Sequence, residues 1–360
     1  MYNLLNNKKL GSILNYTISL ALILAIASIL IIIQGSRPST ALWALVRGAV
    51  GSTSAISSSI RWTIPVLISA MGAVIAHRSG INNLGLDGQV YFGAFFTALV
   101  GAFFSAPHPL HIFAALLAGS AAGLLYSVIP MLLKAFLKIN EMITTLMFNY
   151  IAILLTEFFT MKIMGFGANT RPDMIATPEI LETAKLTLIL PPYQASTGFF
   201  FALIIVLIVW AFYRFTVTGY EWKILGRNPF FAQYGGIRVL RSFIISFLLS
   251  GFLAGFCGAV EILGPHLRFR NNFANSLGWD GIMVALIARN NPLGAAVVGF
   301  LWGMIKAGSL SMERVTSVNR ILITMLQALF VLFITVDIRS LLLKLLNRRK
   351  IAALKTKEEI

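Results

Sequence analysis

The residues able to do chemistry in this chain are few, and they stand inside apolar sequence. Asn82, Asn83, Asp87 and Gln89 punctuate a glycine-rich interruption, Arg78 to Gln89, between the apolar runs Trp62 to Ala76 and Val90 to Phe104. Thr144, Thr145 and Asn149 fall within another apolar run, Met142 to Phe159, where Thr145 and Asn149 share one helical face and make a polar stripe. Glu261 closes a third run, and Asp280 stands in Leu277-Gly278-Trp279-Asp280-Gly281. Groups of these types hydrogen-bond, but they do not compose a catalytic set. The chain has no G-x-x-x-x-G-K-[ST] loop for ATP, no G-x-S-x-G elbow, no H-E-x-x-H pair and no close carboxylate pair inside an apolar run. His77, His108, His111 and His266 have no cysteine or carboxylate cluster at ligand spacing, so no metal and no cofactor are expected.

The elements that must position these groups span a membrane. The chain is 58% hydrophobic and 12% charged, against roughly 25% charged in ordinary soluble domains. Its mean hydropathy is +0.83. Apolar runs of about 20 residues recur, each long enough for a hydrocarbon layer of roughly 30 Å, with membrane lipid as their surroundings. The net charge of +16 comes from Lys and Arg scattered between those runs and in the tails. That is the pattern that orients membrane helices; it is not a nucleic-acid patch. Cys257 is the only cysteine, so a disulfide within the chain is impossible.

Hydrocarbon offers no hydrogen-bond partners, so irregular backbone survives at membrane depth only where protein or water covers it. The stretch Arg78 to Gln89 is therefore either the lining of an aqueous path or a short loop joining two spans. Taken in order, the chain suggests an all-α integral membrane fold. About ten transmembrane helices are expected, some broken or short, in a single transmembrane domain covering residues 1–360. Asn15 to Ile33 reads as a retained first span behind Lys8 and Lys9, and Ser39 to Ile60 as an interfacial helix on the outer face. Further spans run over Trp62 to Ala76, Val90 to Phe104, Ile112 to Leu133, Met142 to Phe159, Thr197 to Phe212 and Phe243 to Leu263. Gly281 to Ala288 is too short to cross alone; Leu293 to Ile305 and Arg320 to Val336 complete the count. Residues 161–196 are expected outside the membrane, while 214–241 and the basic tail 338–360 are expected in the cytoplasm with both termini.

The pentapeptide Leu84-Gly85-Leu86-Asp87-Gly88 echoes Leu277-Gly278-Trp279-Asp280-Gly281 across five spans. Such an echo is the mark of an inverted repeat, which sets its broken elements opposite each other at a central pathway. In the cytoplasmic segment, Asn228 is placed to cap a short helix, with Pro229 in its first turn and Gly235 and Gly236 beyond its end. Phe230, Phe231 and Tyr234 on that helix need a cover, either lipid or a docked partner. Asp87, Glu141, Glu157, Glu261 and Asp280 all fall near the ends of spans rather than at midplane. That favours a passive scaffold energised by another subunit over an ion-coupled secondary carrier.

Four segments are similar to those of ABC importer permeases of the simple-sugar and nucleoside type. Gly80 to Gln89 resembles their G-x-x-N-I-G-x-E-G-Q motif, and Ile143 to Ile151 their I-T-T-L-M-x-N-Y-I segment. Gly226 to Ile237 resembles their cytoplasmic coupling loop. Gly278 to Leu293 resembles G-x-D-G-I-x-x-A-L-x-x-x-x-P-L. Asp87 stands where the family usually has Glu, Asn82 where it has an apolar residue, and Phe231 where it has a small one. The resemblance implies a translocation subunit without an active site, in a bacterial inner membrane. Its partners would be a cytoplasmic ABC ATPase, a second permease chain, in the nucleoside branch usually an unlike one, and an external solute-binding protein or lipoprotein. The ATPase would grip Lys223, Gly226, Arg227, Asn228, Pro229, Phe230, Ala232, Tyr234, Gly236 and Ile237. Asn83, Asp87, Gln89, Thr144, Thr145, Asn149, Glu261 and Asp280 would border the solute path. Among these Asn83, Gln89, Thr145 and Asn149 are expected either to pass a hydroxyl-rich solute or to glue helices together. A nucleoside is expected first, with a simple sugar or riboflavin as the alternatives.

Overall fold

The computed structural model describes residues 22, 25–165, 175–271, 273–274, 276–316, 318, 325 and 328. Among them it has seven helices long and apolar enough to cross a membrane, or eight if the bent pair α1 (Ala25–Ile33) and α2 (Pro38–Val50), at 110° to one another, is one span. The expected count of about ten is therefore too high for the described residues. The tenth run, Arg320 to Val336, lies almost wholly outside them, as do the first residues of the first run and the whole 338–360 tail. The eighth is half-length, as expected.

The described chain forms two compact units, residues 1–48 with 308–360, and residues 49–307. In the first, Gly48 sits against Ser311, and a Cβ on Gly48 would lie 3.2 Å from the Gly308 Cα. The second unit holds the longer helices, and α3 (Thr53–Arg78) opens it. The interfacial helix expected over Ser39 to Ile60 is instead divided between α2 and the first turns of α3. Two serines late in this stretch, Ser57 and Ser59, are buried, as is Thr63 just beyond it, because each of these hydroxyls finds a partner. Ser59 Oγ donates to the Ala49 carbonyl at 2.7 Å, Thr63 Oγ1 to the Ser59 carbonyl at 2.7 Å, and Ser57 Oγ accepts from the Ala195 N–H at 3.1 Å. Ser52 caps the helix by accepting from the Ala55 N–H, and His77 and Arg78 face its carboxyl-terminal dipole.

After the loop Ser79–Gly85 come α4 (Leu86–Phe103), α5 (His108–Leu137) and α6 (Glu141–Met164). Asn140 caps α6 by accepting from the Met142 N–H, and the turn before it is braced by Lys134 and Glu141, 2.7 Å apart. Next are α7 (Gly198–Phe215), the short pair α8 (Val217–Leu225) and α9 (Pro229–Tyr234), and α10 (Val239–Glu261). A π-helical turn, Ile262–His266, extends α10; α11 (Leu277–Ile287) and α12 (Pro292–Val315) follow.

α10 runs through the middle of the 49–307 unit, with α3, α4 and α5 packed around it. What permits this is a knot of small residues. A Cβ on Gly123 of α5 would lie 2.6 Å from the Gly255 Cα of α10, and one on Gly93 of α4 would strike the same Gly255 backbone. Lipid supplies no hydrophobic drive between helices, so close backbone approach and the dispersion it brings are what hold them. Side chains on the outer faces, such as Leu125, Leu154 and Ile208, are exposed as lipid contact requires.

The ends of this unit differ. At one end the segment after α6 folds back on the bundle: the Leu181 N–H donates to the Gly101 carbonyl at 2.9 Å and the Leu186 N–H to the Leu263 carbonyl at 2.8 Å. Lys185 pairs there with Glu182 at 2.6 Å and with Glu179, which also meets Arg268. The bond to Glu182 raises the Lys185 ammonium above its usual range, and the bond from Lys185 holds the Glu179 carboxyl below its own. At the other end lie α8, α9, Arg78 and Asn290.

Candidate functional site

The loop Ser79–Gly85 and the start of α4 are built into the bundle by four of the polar residues the sequence singles out. Asn83 is fully buried; its Nδ2 donates to Gln89 Oε1 at 2.9 Å and to Ser250 Oγ of α10 at 3.0 Å. Its Oδ1 accepts from the Gly85 N–H at 3.0 Å. The stripe on α6 reads the same loop from the other side. Thr145 Oγ1 accepts from the Leu84 N–H at 3.2 Å; Asn149 Nδ2 donates to the Leu84 carbonyl at 2.7 Å, and its Oδ1 accepts from the Gly88 N–H at 2.8 Å. Asn83, Thr145 and Asn149 each satisfy backbone polar atoms that would otherwise be stranded in an apolar interior, a loss of about 1–3 kcal/mol per group. In this structure those three side chains hold irregular backbone in place, and Gln89 fixes the Asn83 amide. Thr144 stands apart, half-buried, with its hydroxyl donating to the Asn140 and Glu141 carbonyls of its own helix.

The two echoed pentapeptides touch. The Gly278 N–H, in the first turn of α11, donates to Asp87 Oδ1 at 2.6 Å, and a Cβ on Gly278 would lie 2.8 Å from the Asp87 Cα. Only glycine lets the two backbones meet so closely. α11 thus starts inside the bundle, and its 11 residues span about 16 Å, roughly half a hydrocarbon layer. Asp280, in the same first turn, accepts from Trp302 Nε1 of α12 at 3.0 Å and pairs with Lys306.

Glu261, expected near the end of a span, is fully buried there, at 1% exposed. It pairs with Arg61 of α3 at 3.0 Å and with His266 at 3.2 Å. The reason is that the π-helical turn carries the chain beyond Glu261, so the end of the regular helix is not the end of the bundle. The Arg61 guanidinium carbon lies 3.9 Å from the Trp62 ring centroid, and its Nη1 has no hydrogen-bond partner among the described residues. Sequence reasoning missed Arg61, His266, Trp302 and Lys306. A lone Arg or Lys inside an apolar stretch was the available signal, since such a group needs a buried partner. Glu261→Ala strands the Arg61 charge and should lower stability by about 3–5 kcal/mol. Thermal unfolding in detergent would register this as a clear drop in midpoint, with Glu261→Gln retaining part of the loss-sensitive hydrogen bonding.

At the opposite end, α8 buries Trp222 and Leu225, with Trp222 against Phe212 of α7 at 5.1 Å. Lys223 in the last turn of α8, Gly226, Arg227 and Asn228 on the turn that follows, and Pro229 at the start of α9 are exposed. α9 forms as its sequence dictates: Asn228 Oδ1 accepts from the Phe231 N–H at 3.1 Å, Pro229 supplies the first turn, and Gly236 (φ 81) ends it. The Ile237 N–H closes the turn on the Ala232 carbonyl, and Ala232 is the buried side. Phe230, Phe231 and Tyr234 point outward, at 75%, 64% and 93% exposed.

A multi-pass bundle with interrupted helices meeting in its interior and an exposed aromatic helix at one end defines a membrane translocation component. The chain belongs to the family described as branched-chain amino acid transport system / permease component, which matches residues 55–334. It is similar to the guanosine ABC transporter permease protein NupP of Bacillus subtilis (strain 168), 30% identical over 91% of this chain and 94% of that protein. It is also similar to the nucleoside ABC transporter permease protein NupB of Lactococcus lactis subsp. cremoris (strain MG1363), 26% identical over 86% of each chain. The glucose ABC transporter permease protein TsgB13 of Haloferax volcanii is 26% identical over 75% of this chain and 73% of that protein.

Proposed function

We propose that this chain is the membrane-spanning subunit of an ATP-binding-cassette importer that passes a nucleoside across a bacterial inner membrane. Likeness to two nucleoside permeases over more than four-fifths of the chain carries this reading. In it, Lys223 to Ile237 docks on a cytoplasmic ATPase, so both termini and the α8–α9 end face the cytoplasm and residues 161–196 face outward to a binding protein. A second, unlike permease chain completes the membrane portion. ATP-driven closure of the ATPase would bias the bundle between packings open to either side.

The polar interior supports a conduit rather than a carrier with its own engine. An ion-coupled carrier needs an ionisable group that can take up and release its ion, whereas Glu261 and Asp280 are held by Arg61 and Lys306, and Asp87 by the Gly278 N–H. A simple sugar is the second reading, supported by the glucose permease relative; riboflavin is a third solute of the same permease type. The test is uptake of labelled guanosine and glucose into vesicles carrying the chain with its companion subunits. ATP-dependent guanosine accumulation is expected. Accumulation by the chain alone, abolished by an uncoupler and indifferent to ATP, would overturn the proposal.

A further inference from the structure

Arg78 stands where three elements cross. It is the last residue of α3, and its Nε donates to the Asn290 carbonyl, just past the end of α11, at 2.7 Å. Its guanidinium lies 4.5 Å from the Tyr213 ring centroid of α7. Its own carbonyl faces Gly226, where α8 ends, so closely that a side chain at position 226 would collide with it. Gly80 (φ 80) bears on the same residue: a Cβ there would lie 3.1 Å from the Gly226 Cα. Meanwhile Asp87 holds the first turn of α11 through the Gly278 N–H. The stretch Arg78 to Asp87 therefore grips the half-helix at both ends and rests against the end of the cytoplasmic pair α8–α9.

The grip at the carboxyl end falls on unusual backbone. Arg289 and Asn290 are consecutive left-handed residues, φ 51 and 57, and neither is glycine. Side chains enter that region at a cost, so such a turn persists where its neighbours hold it. Two neighbours do: Arg78 on the Asn290 carbonyl, and His77, whose Nδ1 lies 3.2 Å from Asn290 Oδ1. A cation is also the complement of the carbonyls that a helix leaves unpaired at this end.

We infer that Arg78 is the positioning residue that delivers movement of the α8–α9 segment to α11, through its hydrogen bond to the Asn290 carbonyl. This rests on the reading that Lys223 to Ile237 bears on an ATPase and deepens it by naming the next link inward. Displacing α8 toward α3 shifts Gly226 against the Arg78 to Gly80 backbone it already touches, and so pushes it. Arg78 then pulls the foot of α11, whose other end is anchored at the start of α4. The half-helix tilts instead of the whole bundle.

The test uses the importer assembled with its ATPase and binding protein, with guanosine as the probe. Arg78→Gln should leave ATP hydrolysis within about twofold of the parent while guanosine taken up per ATP falls roughly tenfold or more. Asn290→Gly keeps the carbonyl and suits the left-handed turn, so it should keep the parent's ratio. Arg78→Lys, which retains the charge over Tyr213, should fall between. Amide exchange in the purified full chain reads the clamp without any solute: Ala285 to Asn291 should exchange about tenfold faster in Arg78→Gln than in the parent. An unchanged uptake-to-ATP ratio in Arg78→Gln, or unchanged exchange at those amides, overturns the inference. If Arg78→Gln does not accumulate in the membrane, Arg78→Lys decides in its place, and a parent-like ratio there overturns it equally. A parent chain that shows no ATP-dependent uptake defeats the importer reading itself, and is recognised because no substitution is involved.

Discussion

Tyr234→Arg is expected to reduce ATP-driven guanosine uptake to background while the chain still inserts and keeps its thermal midpoint. Tyr234 is 93% exposed at the end of a capped helix that buries only Ala232, so the ring contributes almost nothing to this chain's own fold. Aromatic side chains presented on an otherwise satisfied surface are what interfaces use as anchors. Losing one costs about 2–4 kcal/mol, or roughly 30- to 1,000-fold in affinity, and a misplaced cation adds repulsion or desolvation. Deleting Asn228 to Gly235 should give the same result more severely, because the cap, the helix and all three rings go together. The measurements are uptake in vesicles and co-purification of the ATPase. Normal uptake after the deletion would remove the coupling role from this segment, and the interfacial reading, with the rings lying on lipid, would stand in its place.

Gly255→Val should prevent the 49–307 unit from assembling. A Cβ at Gly255 would strike the Gly119 carbonyl and lie 2.9 Å from the Gly123 Cα, and α4 presses its Gly93 on the same point. Overpacking ordinarily costs about 1–3 kcal/mol, because neighbouring side chains shift to absorb it. Here the opposing atoms are backbone of two helices, which cannot rotate away, so the loss should exceed that range. The expected result is a chain that is synthesised and inserted but elutes aggregated from detergent, with Gly255→Ala less severe. Gly294→Ala is the control: its nearest neighbour would be 3.4 Å away, and alanine suits a helix better than glycine. A folded, monodisperse Gly255→Val chain would show that α5 and α10 can separate freely, contrary to the packing described.

Much of the architecture was legible because lipid imposes simple rules. Long apolar runs had to be helices, and Ile112 to Leu133 and Phe243 to Leu263 are indeed the cores of α5 and of α10 with its π-helical turn. The α9 helix was legible down to its capping residue, since Asn228, Pro229 and the paired glycines act locally. The echo of Leu84–Gly88 in Leu277–Gly281 pointed at two segments that the fold brings into contact.

Other features were not local and could not be read. The hydroxyls of Ser57, Ser59 and Thr63 look like surface until one sees that each reaches a backbone atom, and that is why α3 begins at Thr53 and not at Trp62. Asp87, Glu261 and Asp280 do lie near helix ends, but those ends are interior, because α4 and α11 start within the bundle and a π-helical turn prolongs α10.

The sequence alone determined that this is a bundle of membrane helices, which segments are irregular, and that a short capped helix carries aromatic rings in need of a cover. Those properties follow from hydropathy, capping and backbone preference, each decided within a few residues. Only the tertiary structure decided which groups partner which: Arg61 with Glu261, Lys306 with Asp280, Asn83 with Gln89 and Ser250, Arg78 with Asn290. A buried charge or amide must find a complement within about 3 Å in a medium that offers no water. Which complement it finds depends on how helices far apart in the chain come to lie side by side.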